Sequence, residues 1–152
     1  LETYNEWQDH PTIIEDVMRF LDNVLQDFID RAPNEMVRAK YAATRERSVG
    51  LGVMGFHSYL QANMIPFEGV MAKVWNKRMF AHINEGVDAA SKAFAEERGA
   101  SPHASDYGPM ERFLNNTATA PTASPSIITL VPSPHHHPTH AHTLHTHHRQ
   151  PH

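Results

Sequence analysis

The sequence predicts a helix-rich α/β protein, and three observations carry that prediction. Apolar residues recur at helical spacing over two long stretches, 13–31 and 69–98. Two short segments, 49–53 and 117–120, read as extended. The order helix, strand, helix, helix, strand separates the strands by helices, as parallel pairing requires. Two strands are too few for a closed sheet, so the chain reads as a piece of a larger α/β domain.

The first long helix opens on Thr12 and Glu15, a T-x-x-E pattern that predicts a capping box. Ile13, Ile14, Val17, Met18, Leu21, Val24, Leu25, Phe28 and Ile29 form its apolar face, and Asp16, Arg19, Asp22, Gln26 and Asp30 fall between them. Pro33 disfavours helical geometry in Ala32 and sets the end. A short amphipathic segment follows over 35–44. Arg45, Glu46 and Arg47 then read as a solvated strand end. Val49, Leu51 and Val53 alternate with Gly50 and Gly52, the pattern of a strand approached closely by other backbone. Residues 56–63 predict a helix. A longer one covers 69–98, with Val70, Val74, Met79, Phe80, Ile83, Val87, Ala90 and Phe94 inside and Gly99 as its stop. Residues 100–108 read as a polar loop, 110–114 as a short helix and 117–120 as a strand.

At 152 residues there is room for about one domain. The formal charge of -4 and pI near 6.3 offer no general basic field for nucleic acid. Cysteine is absent, which excludes disulfides, Cys-ligated zinc and thiol chemistry by this chain alone. No apolar run reaches the roughly 18 residues of a membrane span. The polar, acidic opening LETYNEWQDH does not read as a signal peptide. The expectation is a cytoplasmic protein and, as the chain does not begin with Met, an excerpt or processed product. Composition changes at 129: residues 129–152 hold nine of the 13 histidines and four of the 11 prolines, with almost no apolar periodicity. Residues 1–128 therefore read as globular and 129–152 as a disordered, low-complexity tail.

Four features are candidate sites. "APTASPS", 120–126, is a turn of small and hydroxyl residues, and no Lys or Arg lies between Arg112 and Arg149. An anion held there would be held by backbone N–H groups at a helix mouth; the alternative is a plain strand-to-helix connection. Gly50, Gly52 and Gly55 spell G-x-G-x-x-G with Glu68 downstream, but only Val49 is apolar before Gly50, so close strand packing outweighs dinucleotide binding. His57 and His82 read as polar or partly buried, and Trp7 and Trp75 as core or interface. The tail imidazoles of His135, His136, His137, His140 and His142 offer adventitious sites for Ni²⁺, Cu²⁺ or Zn²⁺ without fixed geometry.

Four separated stretches, LETYNEWQDHPTIIEDVMRFLDNVLQDFIDRAP, RERSVGLGVMGFHSYLQ, ERGASPHASDYGPMERF and APTASPSII, resemble in order the large α subunit of class I ribonucleotide reductase. The resemblance covers 1–128. It implies a segment of a ten-stranded α/β barrel that reduces ribonucleoside diphosphates by radical chemistry. It also implies that Pro121, Thr122, Ala123, Ser124 and Ser126 cradle the substrate phosphates, which favours the ligand reading of the turn. Implied partners are a second α subunit and a metal-containing, radical-generating β subunit, with no cofactor bound by this segment. Two departures stand out. Pro125 removes an N–H from the turn, and the His-rich tail replaces the family's Gly-rich continuation, as a shifted reading frame or foreign terminus would. The catalytic cysteines of the family have no counterpart here, so the chain is expected to be inactive alone. The competing readings are a His-rich metal-binding protein on an α/β scaffold and an isolated nucleotide-binding module.

Overall fold

In the computed structural model, residues 1–108 and 110–119 are described; Ala120, residues 121–126 and the His-rich tail lie outside them. Among the described residues six α-helices follow one another: α1 (Tyr4–Trp7), α2 (Ile13–Arg31), α3 (Val37–Glu46), α4 (Phe56–Ala62), α5 (Val70–Arg98) and α6 (Pro102–Tyr107), with a 3₁₀ turn at Asn34–Met36. The described residues divide into two compact units. One comprises Leu1–His10 and Val53–Ala81, the other Pro11–Gly52 and His82–Thr119.

The first unit is organised by aromatic packing. Tyr4, Tyr59, Leu60, Ala72 and Met79 are buried together, with Leu1, Trp7, Phe56, Ile65 and Trp75 packed against them. Tyr4 meets Trp7 edge-on at 5.0 Å between ring centroids, and Tyr59 meets Trp75 at 5.2 Å, within the range where ring edges favour ring faces. Gly55 caps α4 at φ +83, and a Cβ there would lie 2.9 Å from the Glu2 backbone nitrogen. Val70 and Val74, expected inside, are exposed, whereas Met79 is buried.

The second unit buries Met18 and Ile29 of α2, Ile83, Val87, Ala90 and Phe94 of α5, and Phe113. At Gly86 a Cβ would sit 2.7 Å from the Ile14 side chain, so the glycine lets α2 and α5 approach closely. Helix α2 ends at Arg31, with Ala32 as its C-cap before Pro33, close to the expected end. Thr12 is its N-cap, but the capping box does not form. The Thr12 hydroxyl donates to Asp16 at 2.8 Å, and Glu15 pairs with Arg19 at 3.0 Å.

Three other expectations are corrected. Residues 100–108 contain helix α6, because Ser101 accepts the Ala104 N–H at its N-cap and Pro102 follows at the first turn. Residues 110–114 are not a helix: the N–H groups of Arg112 and Leu114 donate to the carbonyls of Ser91 and Glu46 instead of to their own turn. The two extended segments form no regular strand among the described residues. They meet in one parallel bridge, Leu51 with Thr117, where Leu51 N–H donates to Asn116 O and Ala118 N–H to Leu51 O. A regular parallel ladder advances two residues on both chains per step. Here the Val49 N–H bonds Asn115 O, one residue out of that register, so the pairing does not extend.

Candidate functional site

The glycines on either side of Leu51 explain the closeness of the bridge. A Cβ on Gly50 would lie 2.9 Å from the Ala118 Cβ, and one on Gly52 would lie 3.0 Å from the Ala118 carbonyl oxygen. These contacts agree with close strand packing as the role of both residues. The second extended segment then runs to Thr119 and continues in sequence into 120–126.

Arginines that precede the two extended segments, Arg47 and Arg112, converge on Asp22 of α2. Its carboxylate is fully buried and accepts four charge-assisted hydrogen bonds. Oδ1 receives Arg47 Nη2 at 2.6 Å and Arg112 Nε at 3.1 Å. Oδ2 receives Arg98 Nη1 at 3.0 Å and Arg112 Nη2 at 3.2 Å. A carboxylate has about four such acceptor positions, so Asp22 is saturated. Arg112 grips it bidentately, the stronger geometry for this pair, and turns its Nη1 to the carbonyls of Arg98 and Gly99 at 3.0 and 2.9 Å. Those carbonyls close α5, where the helix dipole is negative. Arg47 also donates to Gln26 at 2.9 Å. Burial pushes the Asp22 carboxyl up, but the hydrogen bonds and charges of Arg112 and Arg47 outweigh it and hold Asp22 below the usual carboxylate value.

Arg47 is expected in a solvated strand end and Asp22 among the polar residues between the apolar positions of α2; both are buried. Asp22 lies four residues after Met18 and seven before Ile29, so helical spacing places it on their buried face. That spacing was the available signal. Arg45, expected in the same strand end, lies instead in the last turn of α3, half-buried, and pairs with Asp106 at 3.0 Å. His57 is buried, with Nε2 2.8 Å from the Gln61 side-chain nitrogen, and His82 is half-buried.

Pro121, Thr122, Ala123, Ser124 and Ser126 lie outside the described residues, as do His135, His136, His137, His140 and His142. Among the described residues no group of three or more His, Asp or Glu is placed to hold a metal ion. No helix among them is long and apolar enough to cross a membrane.

Comparison with known proteins supplies the context. Residues 2–116 match the family described as "Ribonucleotide reductase, barrel domain". The chain is 40% identical over 128 residues to the ribonucleoside-diphosphate reductase large subunit of Invertebrate iridescent virus 3, covering 84% of this chain and 20% of that protein. It is 34% identical to the vitamin B12-dependent ribonucleoside-diphosphate reductase of Mycobacterium tuberculosis (strain CDC 1551 / Oshkosh), covering 81% of this chain and 18% of the relative. The class Id ribonucleotide reductase alpha subunit of Actinobacillus ureae superposes with a TM-score of 0.77 at 37% identity, over 84% of this chain and 24% of that one. The chain thus spans about a fifth of the length of these relatives. One of them is named for dependence on vitamin B12, so a metal-containing partner subunit does not follow from membership alone. With helices, close-packed glycines and comparisons in agreement, the chain belongs to the ribonucleotide reductase barrel-domain family.

Proposed function

We propose that residues 1–128 are the part of a ribonucleoside-diphosphate reductase α subunit that carries the substrate-phosphate turn, and that 129–152 are a His- and Pro-rich appendage. The observation that carries this reading is the parallel bridge of Leu51 and Thr117. In parallel α/β folds, ligands collect beyond the carboxyl ends of the strands. The sequence that follows this end is APTASPS, rich in small and hydroxyl residues and free of Lys and Arg. The N–H groups of Thr122, Ala123, Ser124 and Ser126 would donate to phosphate oxygens, and the hydroxyls of Thr122, Ser124 and Ser126 would add donors. Pro125 supplies none.

The substrate class is a nucleoside diphosphate. In an intact enzyme the reading places this segment beside a second α subunit and a radical-generating partner. Reduction needs thiols that this chain does not contain, so the chain binds without turnover. With a radical-generating subunit and reductant supplied, deoxynucleotide formation should equal that of a no-protein control; formation above it defeats the expectation of inactivity.

The binding test is an amide NMR titration with pyrophosphate. Shifts should fall on Thr122, Ala123, Ser124 and Ser126, with a Kd no tighter than about 1 mM, worth roughly 4 kcal/mol. Pro125→Ile restores a donor and should tighten binding by about 5-fold or more, given the roughly 1–3 kcal/mol of a missing hydrogen-bond partner. Shifts confined to the tail histidines would remove the phosphate reading.

A further inference from the structure

Two chain segments that meet at the bridge share an anchor. Arg47 follows α3 with φ +46, a left-handed geometry that costs a non-glycine residue about 1–2 kcal/mol. It precedes the first extended segment, and Leu51 lies four residues on. Arg112 precedes the second, and Thr117 lies five residues on. The register breaks once between them: from the Val49 N–H to the Leu51 N–H the first segment advances two residues, while the acceptors advance one, from Asn115 O to Asn116 O. Both arginines end on the same oxygen, Asp22 Oδ1. Arg112 also ties that point to the closing carbonyls of α5, while its own N–H donates to Ser91 O. One buried carboxylate therefore joins α2, the exit of α3, the end of α5 and the start of the segment that leads to 120–126.

We infer that Asp22 is a positioning residue: through Arg47 and Arg112 it sets the register of the parallel bridge, and with it the place from which the phosphate turn continues. The second half of this inference rests on the phosphate reading above. The first half does not, because it concerns hydrogen bonds between residues 49–51 and 115–118 alone.

The geometry separates this role from simple core filling. An apolar core residue biases register only through the face it buries and aims no individual bond, because the hydrophobic effect is non-directional. A carboxylate whose four acceptor positions are filled from three separate segments fixes direction at each of them. Ser91 and Glu46 also hold residues 112–114. They act on backbone, as does the bond from Val49 N–H to Asn115 O, and Asn115 Nδ2 adds a bond to Ser48 Oγ at 3.1 Å; none of these contacts reaches α2, so the tie of both segments to that helix runs through Asp22.

The test uses the full 152-residue chain and two readouts. Native-state hydrogen exchange reports the Leu51 and Ala118 amides, which donate across the bridge. The pyrophosphate titration reports residues 122–126. Arg112→Lys keeps the charge and loses the bidentate grip; Asp22→Asn keeps the shape and loses the charge. Leu60→Ala, a buried apolar truncation in the other unit, controls for lost stability. In Arg112→Lys, protection of Leu51 and Ala118 should fall by at least about 10-fold, a change of 1.4 kcal/mol, beyond any fall in Leu60→Ala. Pyrophosphate shifts at 122–126 should shrink with it, and Asp22→Asn should behave likewise or more severely. Unchanged bridge protection in a folded Arg112→Lys overturns the inference. So does global loss of structure in Arg112→Lys, which makes the cluster a determinant of folding and not of register. If the unmodified chain shows no shift at 122–126, the phosphate reading fails, and exchange at Leu51 and Ala118 still decides the role of Asp22.

Discussion

The two compact units hide their interiors by opposite means. In the unit formed by Leu1–His10 and Val53–Ala81, Tyr4, Tyr59, Leu60 and Met79 bury apolar surface with aromatic edges against aromatic faces. In the unit formed by Pro11–Gly52 and His82–Thr119, apolar helix faces surround a charge cluster with Asp22 at its centre. The first interior tolerates replacement by another apolar shape at moderate cost. The second does not, because each ion is buried on the condition that its partners remain. Two of the three guanidiniums, those of Arg47 and Arg112, have side chains only 8% exposed, whereas Arg98 keeps 30% and is screened by water.

The sharpest way to break the comparison is Asp22→Ala. It strands two buried cations, and loss of one partner from a buried pair costs about 3–5 kcal/mol. A domain has a total stability of about 5–15 kcal/mol, so the second unit should lose most of its cooperative urea transition. Leu60→Ala in the first unit should cost about 2–5 kcal/mol. The two variants differ in pH response. The folded pKa of Asp22 is depressed below the unfolded value of about 3.9. Its contribution is therefore complete above roughly pH 4 and disappears as pH falls through the folded value. Leu60→Ala should retain this acid-labile component and Asp22→Asn should lack it. Equal slopes of stability against pH below 4 in both variants would show that the carboxylate is not the source.

This contrast also explains what the sequence could and could not reveal. Helix positions were legible because apolar spacing and proline and glycine stops act locally: Pro33 ends α2, and Gly99, at φ +87, follows α5. The role of Gly50 and Gly52 was legible as close backbone approach. Of the buried charges, only the place of Asp22 was legible, from its spacing to Met18 and Ile29; its partners were not, since Arg47 looks like a surface residue until distant segments meet. The helix expected at 110–114 failed for the same reason. Its N–H groups have partners at Ser91 and Glu46, which no local pattern announces. Exposure of Val70 and Val74 shows the converse, apolar residues at helical spacing that the described residues leave uncovered.

Gly50→Ala is the intermediate case, a steric perturbation placed at the bridge and away from the ions. The added methyl would meet the Ala118 Cβ at 2.9 Å, closer than carbon atoms approach without movement. Overpacking of this kind costs about 1–3 kcal/mol. The expected signature is faster exchange at Leu51 and Ala118 with the acid-labile component of Asp22 intact. Loss of that component in Gly50→Ala would mean that the ion cluster and the bridge cannot be perturbed separately.

The smallest effect should come from the exposed charges beside the cluster. Glu97 accepts both bonds from Arg19 Nη1 at 2.9 Å and one from Arg98 Nε at 3.2 Å. Hydrogen bonds from Arg19 first, then Arg98, lower its carboxyl below the ordinary value. Glu97 resembles Asp22 in having two arginine partners, yet it remains in water, where salt screens the attraction and water replaces a lost partner. Arg19 also has an apolar contact, since its guanidinium stacks 4.4 Å above the Phe94 ring and can stay there without Glu97. Glu97→Gln should leave the urea midpoint of the second unit almost unchanged, and added salt should erase what difference remains. Asp22→Asn, measured in the same series, should keep its deficit at high salt because solvent ions do not reach a fully buried carboxylate. A salt-insensitive loss in Glu97→Gln comparable to that of Asp22→Asn would show that burial does not separate the two carboxylates, and the contrast between a structural ion and a solvated one would fail.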